Sequence, residues 1–375
     1  MSSNHPTSGP PPLSTLVAIS LLRNGFDTSA ARHAKDVLQE MPPSSWFRAV
    51  AERQAADPAD RQENVRWALS GVDSCLEQAA RLKHRALTCL DPDYPALLGE
   101  IPDPPVVLWM QGQADILGLP AVAVVGSRDA LPASLSIART LGRELAKAGL
   151  VVVSGMARGV DGAAHLGALD ETGRTIAVLG SGLGRIYPDE HRPMAARIIE
   201  SGIVMSELRP YAGPYGRHFP LRNRIISGLC RATVVIEAAK KSGSLITARL
   251  ALEQNRDVLA VPGGPLSGRH RGCHALIKDG ARLVETVEDV LEELKWPYFK
   301  GVTAPDAHNH LQLSDLENNM AKGEPYSVDD LAKRTKRSAS EILTDLCLFE
   351  LNGRVVRTTG GRFVRLTGPE SREGK

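Results

Sequence analysis

Ala121-Val122-Ala123-Val124-Val125-Gly126-Ser127-Arg128 is the stretch on which the fold turns. Its first five residues are small or β-branched and stand between Pro120 and Gly126. So short an apolar run reads as a buried strand of a parallel sheet, because a helix needs more length. Gly126-Ser127-Arg128 then falls at the carboxyl end of that strand. In an open α/β sheet this edge is where ligands bind, since loops there meet helix N-termini whose unpaired N–H groups attract anions. An arginine planted at such an edge points to a phosphate; a plain turn with a solvated cation is the bland alternative.

Outward from this strand, the chain alternates strand and helix from Pro120 to about Trp296 with short connections. Strands are predicted at 121–125, 150–154, 175–179, 203–207, 232–237 and 257–261, with a last one near 281–284. Helices fill the gaps, as at Ser134–Ala148, Gly159–Leu169 and Leu245–Gln254. The pattern predicts an α/β protein with an extended Rossmann-like, doubly wound parallel sheet and helices on both faces. Residues 1–12 read as a Ser/Pro-rich disordered tail and 13–88 as a helical domain of the helix-hairpin-helix or sterile-alpha-motif kind. The Rossmann-like domain occupies 89–296. It opens with a proline-rich connection and a strand at Val106–Met110. A Pro/Gly/His-bearing linker spans 297–310 and a tail 368–375. Between them, 311–367 carry three helical segments and a hairpin, Gly353–Arg357 with Arg362–Leu366, which together describe a C-terminal winged helix.

Composition sets bounds. At 375 residues, 42% hydrophobic and 23% charged, the chain is an ordinary globular protein of two or three domains. The five cysteines (Cys75, Cys89, Cys230, Cys273, Cys347) form no Cys-x-x-Cys pair, which argues against a disulfide framework or structural zinc. There is no apolar leader and no run of about 18 apolar residues, so a cytoplasmic protein without membrane contact is expected.

The net charge of +2 hides an uneven distribution. Across the 29 residues Leu208–Ile236 there is no Asp or Glu, while Arg209, Arg217, Arg222, Arg224 and Arg231 are interleaved with Tyr211, Tyr215 and Phe219. Arginines bind phosphates bidentately and rings stack on unpaired bases, so the segment suits single-stranded nucleic acid. Three predicted strand ends also terminate in glycine-bearing loops: Gly126-Ser127-Arg128, Ser154-Gly155-Met156-Ala157-Arg158-Gly159 and Gly180-Ser181-Gly182-Leu183-Gly184. Glycines let backbone N–H groups approach phosphate oxygens. A further loop, Lys240-Lys241-Ser242-Gly243-Ser244, leads into a helix and adds two lysines and two hydroxyls.

Other constellations point elsewhere. Gly180 and Gly182 with Glu207 imitate a dinucleotide fingerprint, but its third glycine would fall at Arg185, and Pro188 and Pro193 interrupt the helix that should follow. Asp161 and His165 share a helix face, a spacing that serves acid–base chemistry or a metal, or simply a helix cap and a packed histidine. His270, Cys273 and His274 have no fourth partner at metal spacing. No cofactor or metal is expected.

Taken together, Asp91-Pro92-x-Tyr94-Pro95, Gly126-Ser127-Arg128, Ser154-Gly155-Met156-Ala157-x-Gly159-Val160-Asp161-x-x-Ala164-His165, Phe219-Pro220-x-Arg222-Asn223-Arg224-Ile225-Ile226-Ser227-Gly228-Leu229 and Lys241-Ser242-Gly243-Ser244-Leu245-Ile246-Thr247-Ala248 resemble the bacterial DNA-processing protein A family, DprA or Smf. The resemblance covers about residues 90–367, with departures at Trp109 and at Cys273-His274. It implies a non-enzymatic, homodimeric protein that binds single-stranded DNA without sequence preference. In the family this protein hands incoming DNA to the recombinase RecA in natural transformation. The site expected from these residues comprises Gly126, Ser127, Arg128, Gly155, Arg158, Tyr215, Phe219, Arg222, Asn223, Arg224, Lys241, Ser242, Gly243 and Ser244. Arg128, Arg222 and Arg224 are expected to clamp phosphates, Lys241 with the Ser242–Ser244 loop to hold an adjacent one, and Tyr215 or Phe219 to stack a base. The competing class is a nucleotide-cleaving phosphoribohydrolase of the lysine-decarboxylase-like type, whose Pro-Gly-Gly-x-Gly-Thr signature is broken after Pro262-Gly263-Gly264. A third class, a winged-helix transcription regulator, would read duplex sequence through 311–367.

Overall fold

A computed structural model describes residues 13–25, 45, 47, 58–171, 173–266 and 268–296. In the C-terminal part it describes 319–321, 324–335, 338, 339, 342, 343, 346, 355–358 and 362–365. Two compact units divide the chain, Met1–Tyr298 and Phe299–Lys375.

In the first unit the predicted strands form β3 (Ala121–Val125), β4 (Val151–Ser154), β5 (Thr175–Val178), β6 (Ile203–Ser206), β7 (Ala232–Val235), β8 (Asp257–Ala260) and β9 (Arg282–Leu283). They are joined by β1 (Arg85–Thr88) and β2 (Val107–Gly112) in the order β1-β2-β6-β5-β4-β3-β7-β8-β9. From β6 to β9 every pairing is parallel. At the other edge β2 runs antiparallel to β6 and to β1.

Two features depart from the reading above. The stretch 13–88 is not wholly helical, because Arg85–Thr88 pairs with Val107–Met110. The helix before it ends at Arg81, and Lys83 takes a left-handed φ of 55° that turns the chain into the sheet. The sheet is therefore mixed, with an antiparallel edge.

The helices are α1 (Leu13–Gly25), α2 (Pro58–Arg81), α3 (Pro132–Lys147), α4 (Val160–Leu169), α5 (Arg192–Ser201), α6 (His218–Gly228), α7 (Ser244–Glu253), α8 (Arg271–Lys278) and α9 (Val287–Glu293). Strand alternation sends Val122 and Val124 to one face, against α3, α4 and α9. Ala121, Ala123 and Val125 go to the other, against α6, α7 and α8. With both faces covered, strands read as continuous apolar runs. Leu16–Leu21 of α1 pack with Ala68, Val72 and Cys75 of α2 in one cluster with Trp109 of β2 and Val204 of β6. Within the predicted helical domain, residues 26–57 lie largely outside the described residues. Among those described, no helix is long and apolar enough to cross a membrane.

In the second unit α10 (Val328–Thr335) accompanies a small antiparallel sheet, β10 (Pro325–Tyr326), β12 (Phe363–Arg365) and β11 (Val355–Arg357). This is the winged-helix hairpin expected from the sequence, with one added strand. Leu331, Ile342, Leu346, Val355 and Phe363 fill its core. Of the three predicted helical segments, the first and third lie mostly outside the described residues.

His165 of α4 is fully buried. Thr175 Oγ1 donates to the Val152 carbonyl at 2.7 Å, so its lone pair accepts the His165 Nδ1–H, also at 2.7 Å. Nε2 is left as a buried acceptor without a hydrogen-bond partner. Burial first, then the His191 and Arg222 charges, hold the imidazole down at about 3. The unfolded chain binds this proton near pH 6.5 and the folded protein does not. The associated stability is therefore complete above that pH and lost as pH falls. Unfolding free energy should drop by up to about 1.4 kcal/mol per pH unit below 6.5 from this group alone. Urea titrations of the wild type and of His165→Gln across pH 5–7 should show a flatter dependence in the variant.

Candidate functional site

In sheet order β3 lies between β4 and β7. The chain proceeds from β3 toward β4, β5 and β6, and returns to β7 on the opposite side. Loops after β3 and β7 therefore diverge and open a crevice at the carboxyl edge, as expected at a topological switch point. That crevice holds about 590 Å³ and is lined by the Gly126–Asp129 loop, Ala157 and Asp161 after β4, the start of α6, and Ser242–Thr247.

Arg222 forms much of its floor. The side chain is buried, and Nη1 donates to the Gly155 carbonyl at 2.7 Å and to the Val178 carbonyl. One guanidinium thus ties the ends of β4 and β5 to α6. Gly155 is required for this, because a Cβ there would lie 2.4–2.5 Å from the Arg222 guanidinium. Asp161 accepts the N–H groups of Gly155 and Ala157 at 3.1 and 3.3 Å. Burial pushes its carboxyl up, against the opposing pull of the Arg222 charge. Burial lowers the Arg222 guanidinium, Asp161 raises it and neighbouring Arg128 lowers it further, to about 10, so it stays cationic at neutral pH. Asp161 and His165 are both taken up with structural bonds.

The rim carries the accessible cations. Arg128 is exposed and sits 5.1 Å from the Phe219 ring centroid, within cation–π range. Phe219 also meets Tyr187 at 5.8 Å. Lys240 and Lys241 are exposed beside Ser242, Gly243 and Ser244, with no ion-pair partner among the described residues. The Ser242 and Ser244 hydroxyls lie 2.7 Å apart at the N-terminus of α7, whose free N–H groups and dipole favour an anion. Asn223 lines the cleft. Tyr215 stands 60% exposed beside it, with Arg217 6.0 Å from its ring.

Several expected residues are placed differently. Arg224 does not line the cleft. Its guanidinium donates to Glu207 at 2.8 Å and to Asp103 at 3.1 Å, and the side chain is only 11% exposed. α6 starts at His218, so both arginines lie within the helix. Residues two apart on a helix face nearly opposite directions, so Arg222 and Arg224 cannot serve one ligand. Arg158 is exposed but pairs with Glu190 away from the crevice. The third glycine loop is no anion cradle: Phe219 packs on Gly180, and Pro210 and Tyr211 pack on Gly182 and Gly184. His274 Nε2 is engaged by the Gly263 backbone, and the Cys273 thiol faces the Val235 carbonyl. Ile246, Thr247 and Asp129, absent from the expected set, line the cleft. Asp129 is paired with Arg269 at 3.3 Å.

Arg222→Ala leaves Asp161 buried without its counter-charge and should cost about 3 kcal/mol or more in urea unfolding. Arg128→Ala, at an exposed position, should cost less than about 0.5 kcal/mol.

Comparison with known proteins follows the same lines. Residues 85–295 match the family model of DNA recombination-mediator protein A, and 318–361 match a DprA winged helix domain. The DNA processing protein DprA of Streptococcus pneumoniae is 45% identical over 214 residues, 57% of this chain and 76% of that protein. The X-ray structure of DprA from that organism superposes with a TM-score of 0.62 at 39% identity, covering 75% of this chain and 94% of that one. A structure of DNA processing protein A from Helicobacter pylori, described for its single-stranded DNA binding mode, gives a TM-score of 0.52 at 30% identity, covering 57% and 96%.

Proposed function

Because the chain belongs to the DNA recombination-mediator protein A family, known also as DprA or Smf, we propose that its cleft binds single-stranded DNA without sequence preference. The observation that carries this reading is the makeup of the crevice. Exposed Arg128 and the N-terminus of α7 border a pocket with Phe219 at its edge, and exposed Lys241 directly precedes the lining residue Ser242. Cations and N–H groups hold phosphates of any sequence, and a ring accepts any base. Arg222 contributes its buried charge from below, and Arg128 is the contact that reaches the backbone. A strand held by its phosphates leaves base edges free for pairing. In this reading the protein is a cytoplasmic homodimer, acting by binding and not by catalysis, that passes the strand to the recombinase RecA.

Fluorescence anisotropy with labelled mixed-sequence oligonucleotides, single-stranded and duplex, across a salt series tests the proposal. Tighter single-strand binding that weakens steeply with salt and ignores excess nucleoside monophosphate is expected. Weak binding to both forms, with a monophosphate bound or cleaved, would overturn it in favour of the phosphoribohydrolase class. Arg128→Ala should weaken single-strand binding by about 1–3 kcal/mol and flatten the salt slope by about 0.7, the share of one phosphate contact.

A further inference from the structure

A second cavity lies on the same edge of the sheet, where α2 meets the loop after β6. It holds about 290 Å³ and is walled by Trp67, Ser74 and Cys75 of α2 and by Arg209 and Tyr211. Trp67 is 40% and Tyr211 47% exposed, large apolar rings held partly open to solvent at the mouth of one pocket. Arg209 is exposed beside them. Among the described residues, no acidic side chain lines this pocket. Burial pushes the Cys75 thiol up to about 11, with Arg209 opposing, so the floor stays neutral. Two rings, one arginine and small hydroxyls around a pocket of this size match an unpaired nucleobase with its phosphate.

The position adds to the chemistry. β6 is three strands from β3, about 14 Å at about 4.8 Å per strand. That distance is roughly four stacked nucleotides at about 3.4 Å each. Between the two pockets, the loop after β5 presents exposed Arg185 and Tyr187, and Tyr187 touches Phe219 of the first cleft. Arg185 and Tyr187 thus extend the row of exposed cations and rings from the first cleft along the carboxyl edge.

We propose that the Trp67–Tyr211–Arg209 pocket is a second nucleotide-binding subsite, through which the N-terminal helices take part in holding the same single strand. This rests on the reading of the first cleft as a single-stranded DNA site. The full chain should be titrated with labelled oligothymidylates of about four nucleotides, too short to span both pockets, and about sixteen, the two ends of the usual range of single-strand sites. The wild type should bind the longer oligomer about tenfold tighter, as one stacked base provides. Tyr211→Ala combined with Trp67→Ala, and separately Arg209→Glu on the surface, should lose that gain while binding the short oligomer like the wild type. A variant that keeps the full gain, or a wild type without one, overturns the subsite. If the wild type binds neither oligomer, the first cleft reading itself fails. Should the double aromatic variant fail to fold, as judged by circular dichroism, Arg209→Glu decides alone.

Discussion

The guanidinium of Arg222 is the fixed point of this architecture. It enters the sheet edge from α6 and donates to the Gly155 and Val178 carbonyls at the ends of β4 and β5. Buried arginine is costly unless its donors are used and a counter-charge is near; here Nη1 is used twice, Nε has no hydrogen-bond partner among the described residues, and the Asp161 charge stabilises the cation. That single arrangement holds three elements together. It also sets the height of α6 over the sheet, which brings Phe219 onto Gly180 and Tyr187 and under Arg128. The floor of the cleft is thus rigid, and the groups free to meet a ligand stand on its rim.

This division changes what a run of basic residues means. Residues 208–236 contain five arginines and no acid, yet the fold sends those charges in different directions. Arg222 goes inside, and Arg224 into ion pairs with Asp103 and Glu207. Arg231 stands at the amino end of β7, the opposite edge from the cleft. Arg209 and Arg217 stay exposed on the ligand side. The local field is therefore weaker than a count suggests, but better placed. Exposed cations line one edge of the sheet, and the cleft's own acid, Asp129, is held by Arg269.

The winged helix forms a unit of its own, with a core of Leu331, Ile342, Leu346, Val355 and Phe363. The N-terminal helices differ: α1 and α2 share a hydrophobic cluster with β2, β5 and β6. The exposed Trp67 ring of α2 therefore occupies a fixed place relative to the sheet edge, as a residue on a flexible tether would not.

Most of the strands, though not their order in the sheet, were legible from local patterning. Runs such as Val151–Ser154 and Ala232–Val235 are β-branched and bounded by turns, and buried parallel strands need no other signal. The glycine and serine loops at their ends likewise followed from the sequence, since a ligand edge requires close backbone approach. Only the tertiary structure decided where side chains point. Arg222 and Arg224 look alike in the sequence, and it is their place within the helix His218–Gly228 that makes them face opposite ways. The partner that removes Arg224 from the cleft, Asp103, lies 121 residues away. Likewise β1 is too short to show periodicity and exists because β2 offers it a free edge. Local composition determines which elements form; long-range pairing determines which of their charges remain for a ligand.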